Sequence, residues 1–146
     1  MNLFFASKVQ RRHRRAVENL FFMNPRQYRV REGIINTLNK FGQPWLEEIA
    51  GEIYLRVGKN EVQTLFAFDG NFTEHKPVGV VVYLRNTDME IAILHLAVDP
   101  DYGFNGEQKV VGLGILLVDK VKAIAARIVG IKRVILCYRH EIVMTI

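Results

Sequence analysis

Cysteine is nearly absent from this chain: its 146 residues hold only Cys137, which excludes an internal disulfide framework and makes a reducing compartment the default. The four histidines, His13, His75, His95 and His140, are scattered, so no cluster has zinc-ligand spacing and no metal site is expected. Long apolar runs are missing too. None approaches the roughly 18 residues that a membrane span takes. The start, MNLFFASKVQRRHRR, places its apolar piece before the basic run, the reverse of a secretory signal, so a soluble cytoplasmic protein without a membrane partner is expected. Repeats, low-complexity tracts and a convincing linker are absent as well. Acidic residues are scarce only at the start: residues 1–31 carry eight Lys or Arg against Glu18 alone, while the rest of the chain is slightly acidic.

What is present is ordinary globular material. Apolar residues make up 49% and charged residues 24%, which excludes wholesale disorder and fibrous architecture. At this length about 70% of the unfolded surface can be buried, enough for one domain over 1–146 and too little for two.

Hydrophobic spacing divides the chain near residue 60. Asn2 to Ala6 reads as a first strand. Lys8 to Met23 carries Val9, Ala16, Val17, Leu20 and Phe21 at near-helical spacing, and Asn24-Pro25 stops it. Arg26 to Phe41 repeats the pattern with Tyr28, Ile34, Ile35, Leu38 and Phe41, closed by Gly42. Pro44-Trp45-Leu46-Glu47-Glu48 starts like a third helical piece, with proline and acids in the first turn. Residues 1–58 are thus expected to be mainly helical, and 61–138 to form the sheet and core. There the period changes to three strand-like runs, 62–68, 77–84 and 90–98, split by Asp69-Gly70-Asn71 and Asn86-Thr87-Asp88, which predicts a meander. Leu117, Val121, Ile124 and Ile128 then mark a helix closed by Gly130, and Arg133 to Tyr138 resumes as a strand. The strand-helix-strand unit makes the last two strands parallel neighbours.

The chemistry is expected where the long helix begins. A loop ending in Gly112-Leu113-Gly114 leaves free backbone N–H groups beside the positive end of the helix dipole, a geometry that binds phosphate. A plain tight turn explains the same glycines. Position in the chain narrows the choice, because helices followed by three strands and then the glycine loop is not the Rossmann order, and the loop lacks a P-loop lysine.

These residues resemble the GNAT superfamily of N-acetyltransferases, whose pyrophosphate motif is Arg or Gln, two residues, Gly, one residue, then Gly or Ala, after a strand ending in a Leu-x-Val-x-Pro-like pattern. Leu96-Ala97-Val98-Asp99-Pro100-Asp101-Tyr102 looks like the strand end, and Lys109-Val110-Val111-Gly112-Leu113-Gly114-Ile115 like the loop. The resemblance spans about residues 60 to 138. It implies an α/β (α+β) fold: a mixed, mostly antiparallel sheet with helices on both faces and a V-shaped gap between the fourth and fifth strands. It further implies that backbone N–H groups of residues 110 to 115 bind the coenzyme A pyrophosphate, and that Leu96, Ala97 and Val98 pair with the pantetheine arm. The activity implied is transfer of an acetyl or short acyl group from acetyl-CoA to a primary amine by direct attack in a ternary complex. Three departures stand beside it: Lys109 replaces Arg or Gln, GFNGEQ lengthens the loop, and eight residues follow Tyr138 where the family carries a further helix, with its proton-donating tyrosine, and closing strands.

Acyl transfer needs a base for the ammonium and a donor for the leaving thiolate. If Val98 faces the cofactor, unbroken alternation puts Leu96, Leu94, Ala92 and Glu90 on the same side and His95 on the other, which makes Glu90 the candidate base; one bulge would swap the argument to His95. Tyr138, where the sheet should splay, is the candidate acid, with packing as its plain alternative. Cys137 has no histidine partner by spacing, so covalent catalysis is not expected. The apolar tail Ile142-Val143-Met144-Thr145-Ile146 predicts self-association, most simply as a homodimer. The rival readings are a catalytically weak CoA-binding or protein-interaction domain, and a module binding nucleic acid or tRNA through Arg11, Arg12, Arg14 and Arg15.

Overall fold

The structure is a computed structural model of the chain that describes residues 3–22, 31–70, 76–102, 112–139 and 141–145. Its elements, in order, are β1 (Leu3–Ala6), β2 (Val9–Gln10), α1 (Arg14–Phe22), α2 (Arg31–Phe41), β3 (Pro44–Ile49), β4 (Glu52–Val57), β5 (Gln63–Asp69), β6 (Pro77–Thr87), β7 (Glu90–Val98), α3 (Leu113–Ala126), β8 (Arg133–Leu136) and β9 (Glu141–Thr145). Short 3-10 turns lie at Arg11–His13, Pro100–Tyr102 and Cys137–Arg139.

The main sheet has the order β1-β5-β6-β7-β8-β9, antiparallel except for the parallel pair β7 and β8. The expected meander is β5, β6 and β7, and the crossover through α3 makes β7 and β8 parallel, as strand-helix-strand connections do. β6 is buried from Pro77 to Leu84 because both faces of the sheet are covered. One core joins Val17, Leu20 and Phe21 of α1 to Val80, Val82 and Leu84 of β6 and to Ala92, Leu94 and Ala97 of β7. The other joins Leu113, Leu117, Val121 and Ala125 of α3 to Val78, Val81, Ile91 and Ile93. Helices therefore cover both faces, as expected.

Four expectations are corrected. Pro44 to Glu48 is not a helix: β3 and β4 form a hairpin with a two-residue turn at Ala50-Gly51, both at positive φ (51° and 80°), the backbone a primed hairpin turn needs. Ile53, Leu55 and Val57 alternate into the core from β4, and the Glu47 carboxylate pairs with Arg56 at 3.1 Å, so the acids that looked like a first helical turn face a strand partner. Residues 1–58 are accordingly not mainly helical, since they also hold the small sheet β2-β4-β3. The helix expected from Lys8 starts only at Arg14, because Val9 and Gln10 pair with Ile53 and Glu52, and the Arg11 N–H donates to the Gly51 carbonyl at 2.9 Å. The last expected strand stops at Leu136, and Cys137 to Arg139 turn away from the sheet.

α2 begins at Arg31, the residues before it lying outside those described, and ends at Gly42, whose φ of 102° and N–H donation to Leu38 O close the helix. The apolar tail pairs antiparallel with β8 rather than standing free, which leaves β9 as the outer strand. Among the described residues no helix is long and apolar enough to cross a membrane.

Candidate functional site

β7 divides into two halves. Its first half, Glu90 to Ile93, is laddered on one side to β6 and on the other to β8, through Glu90↔Arg133, Ile91↔Val134, Ala92↔Ile135 and Ile93↔Leu136. β8 then ends. From Leu94 to Ala97 the edge of β7 that faced β8 has no strand partner among the described residues. This is the opening expected between the fourth and fifth strands, and it leaves about 10 Å of strand edge with alternating N–H and C=O groups.

A β-bulge sits where the two halves meet. Val82 pairs with His95 but Tyr83 with Ile93, so Leu94 has no opposite residue on β6. The bulge resets side-chain alternation: Ile91, Ile93, Leu96 and Val98 belong to the α3 face, whereas Ala92, Leu94 and Ala97 belong to the α1 face. The unbroken alternation that put Glu90 on the side of Leu96 and Val98 is therefore corrected. His95 stays with the α1 face, where the edge of its ring meets Phe21 with centroids 6.1 Å apart.

Above the open half lies the start of α3. Gly112 is in the left-handed region (φ 76°) and accepts from the Leu116 N–H at 3.0 Å. The N–H groups of Leu113, Gly114 and Ile115 precede this first helical bond and point out of the helix end. Gly114 lies directly over β7: a Cβ there would sit 3.8 Å from both Leu96 Cδ2 and Val98 Cγ2. The structure thus brings Gly114, in the helix start that Gly112, Leu113 and Ile115 share, over Leu96 and Val98, while the Ala97 side chain turns to the α1 face. Lys109, Val110 and Val111 lie outside the described residues. The chain leaving β7 is pinned, since Asp99 N–H donates to Val78 O at 2.8 Å and the buried Tyr102 hydroxyl donates to Asp69 Oδ2 at 2.6 Å.

At the fork between β7 and β8 stands Tyr138. Its hydroxyl and His95 Nδ1 are hydrogen-bonded to each other, the two rings meeting edge to face at 5.5 Å. Burial pushes the His95 imidazole down to about 4, so the ring is neutral near pH 7, and burial raises the Tyr138 phenol well above its usual range. Behind Tyr138 sits Gly33 of α2, where a Cβ would collide with the Tyr138 carbonyl oxygen. Only glycine lets α2 come this close. Sequence reasoning passed over Gly33, although a glycine inside an amphipathic helix is itself a signal of close packing.

Glu90 stands at the closed end of β7. It is 7% exposed and accepts from Arg133 Nε at 2.5 Å and from Asn86 Nδ2 at 2.8 Å. Burial alone would raise its carboxyl, but the hydrogen bonds from Asn86 and Arg133 and the charge of Arg133 carry it below the usual range. A carboxylate held this way is a weak proton acceptor. Cys137 is buried, and burial pushes its thiol up to about 11, which keeps it protonated and poorly nucleophilic.

No protein-family model matches the chain, and no curated protein matches it either. Among solved structures it is similar to an acetyltransferase from Streptococcus agalactiae, at 15% identity over 92% of this chain and 71% of that one, with a TM-score of 0.51. It is also similar to a candidate acetyltransferase of the GNAT family from Desulfovibrio desulfuricans, at 18% identity over 92% and 72% of the two chains, with a TM-score of 0.48. At such identities the likeness is one of fold alone: the acetyltransferase from Streptococcus agalactiae shares the mixed, mostly antiparallel sheet with its helices.

Proposed function

We propose that this GNAT-like chain is an N-acyltransferase that moves an acetyl or other short acyl group from coenzyme A to a primary amine by direct attack in a ternary complex. The observation that supports the reading is the arrangement around the second half of β7: the start of α3 over Leu96 and Val98, the Tyr138 hydroxyl at the fork, and the stretch Leu94 to Ala97, where β8 no longer pairs with β7.

Each part has a task in such a transfer. The helix start, with Gly112 and Gly114 leaving its backbone bare, takes the anionic pyrophosphate of the acyl donor. The edge of β7 around Leu96, Ala97 and Val98 takes the amide-bearing pantetheine arm as an added strand, which points the thioester toward the bulge. There the acceptor nitrogen attacks the carbonyl carbon, the C–S bond breaks, and Tyr138 gives its hydroxyl proton to the departing sulfur. The acceptor ammonium loses its proton to solvent, because Glu90 is ion-paired and His95 is buried and neutral. Glu90 is accordingly read as a structural carboxylate that fastens β7 to β8. No acceptor is specified by these residues beyond its amine.

The rival nucleic-acid reading loses ground on the ion pairs of the basic segment. Arg11 pairs with Glu48 at 3.1 Å, Arg14 with Glu18 at 3.2 Å and Lys8 with Glu52 at 2.7 Å, so three of its eight basic side chains are answered within the chain. Isothermal titration with acetyl-CoA tests the proposal, run on the parent chain and on Gly112→Val/Gly114→Val shown by circular dichroism to be folded. Binding by the parent alone, followed by amine-dependent release of free thiol, is expected. No binding by the folded parent would sink the acyl-transfer reading, and binding without thiol release would leave a CoA-binding domain.

A further inference from the structure

One carboxylate lies deep in the structure and has no part in the acyl-transfer scheme. Asp69 ends β5 at 1% exposure, and its Oδ2 accepts from the hydroxyl of Tyr102, itself 2% exposed, at 2.6 Å. Burial and the hydrogen bond to Asp69 push the Tyr102 phenol up, so it stays a donor near pH 7. The core around the Tyr102 ring is apolar, shared with Ala67, Val78 and Val81 of the sheet and with Leu113 and Leu117 of α3. Taking a carboxylate out of water into such surroundings costs free energy, and apolar residues in place of a buried polar pair often hold a core as well or better. What the polar pair adds is direction. An O–H···O bond fixes the distance and angle between the atoms it joins, whereas apolar contacts let neighbouring elements slide.

We propose that Asp69 and Tyr102 are positioning residues that fix the start of α3 over the second half of β7, and with it the place where the acyl donor is held. The inference rests on the acyl-transfer reading for its purpose, but the placing of the helix is a property of the folded chain alone. Hydrogen bonds tie the pair to the end of β7. The Asp99 N–H donates to Val78 O at 2.8 Å, and the Tyr102 N–H donates to Asp99 O at 2.9 Å, so the residues that follow Val98 are held against β6. Packing ties it to the helix. Gly79 of β6, which pairs with Val98, is where a Cβ would meet Leu113 Cδ2 and Leu117 Cδ1 at 3.1 Å, so the first turns of α3 rest on β6 next to Val78. A ring in one core with Leu113, held by its hydroxyl to the end of β5, sets the surface on which the helix start sits.

The consequence concerns alignment rather than strength. In the proposed scheme the N–H groups that open α3 and the edge of β7 hold two ends of one donor, so their separation must match it. A helix start free to shift would loosen the donor without disturbing Tyr138, which stands at the other end of the opening.

The test compares the parent with Asp69→Leu/Tyr102→Phe, which makes both partners apolar, and with Asp69→Asn, whose amide oxygen still accepts from the phenol. In the ligand-free chain, amide hydrogen exchange reads the first turn of α3 at the Leu116 N–H, which donates to Gly112 O. The double variant is expected to keep the parent's urea midpoint while this N–H exchanges roughly tenfold faster and the Val121 N–H is unchanged. By isothermal titration it should bind acetyl-CoA roughly tenfold more weakly, with Asp69→Asn within about twofold of the parent. In thiol release KM for acetyl-CoA should rise in step and kcat stay the same. Parental exchange at Leu116, or parental affinity, in the double variant overturns the proposal. Faster exchange along the whole helix, Val121 included, marks a merely structural pair and also overturns it. Tyr102→Phe alone, which keeps the ring, is read in the same way should the double variant fail to fold. A parent that binds no acetyl-CoA defeats the acyl-transfer reading instead, and the exchange measurement still decides whether the pair sets the helix start.

Discussion

The two halves of β7 share one strand and differ in almost everything else. The Glu90 half is laddered on both edges, and its polar group is neutralised by Arg133 and Asn86. Among the described residues the Leu96 half is laddered to a strand on one edge only, and Leu96 and Val98 lie under the start of α3. A satisfied strand end holds structure together, whereas unsatisfied backbone at an edge and a helix terminus is what a ligand can complete. The carboxylate that looks most like a base from its residue type stands at the end where the fold has already used it.

The largest expected break in this contrast comes from Gly33→Val, which pushes a side chain into the Tyr138 backbone at the point where the halves meet. A loss of about 3 kcal/mol or more in urea unfolding at pH 7.5 is expected. An unchanged midpoint would mean that α2 is not seated there. Next comes pH. The folded His95 titrates at about 4 against about 6.5 unfolded, so the unfolded chain binds the extra proton between those values. Its contribution is complete above about pH 6.5 and is lost as pH falls toward 4, up to about 3 kcal/mol. Urea melts at pH 7.5 and 4.5 should show that slope in the parent and a shallower one in His95→Asn.

At the closed half, Glu90→Gln removes the charge from a pair whose arginine is 40% exposed, so a cost of only about 1–2 kcal/mol is expected, with thiol release within about twofold of the parent. A fall of roughly a hundredfold in kcat would restore Glu90 as the base. The smallest effect on stability is expected at the open half. A Cβ on Gly114 meets Leu96 and Val98 at ordinary contact distance, so Gly114→Ala should stabilise the helix by roughly 0.5–1 kcal/mol while weakening acetyl-CoA binding by calorimetry. Unimpaired binding would show that the donor does not approach the helix start at this residue.

Much of this contrast is legible in one dimension. The meander from β5 to β7 follows from β-branched runs between turn residues, and α3 from Leu117, Val121 and their helical spacing. The glycine loop marks the helix start as the place for an anion. The hairpin β3–β4 was less visible, because Pro44 and the Glu47-Glu48 pair imitate a helix start, while the alternation of Ile53, Leu55 and Val57 and the Ala50-Gly51 turn carried the better signal. Gly33 had a signal too, as a glycine inside an apolar stripe.

Which residue serves and which merely supports was a matter for the tertiary structure. The sequence by itself determined the meander from β5 to β7, the helix α3 and the parallel pair it connects, because hydrophobic period, turn chemistry and crossover handedness are local or nearly local rules. The bulge at Leu94 comes from register against β6, the Glu90 ion pair from a residue 43 positions away, and the His95–Tyr138 pair from the point at which β8 leaves the sheet. Those are decided by pairing across long stretches of chain, and a single extra residue in a ladder is enough to turn every later side chain to the other face.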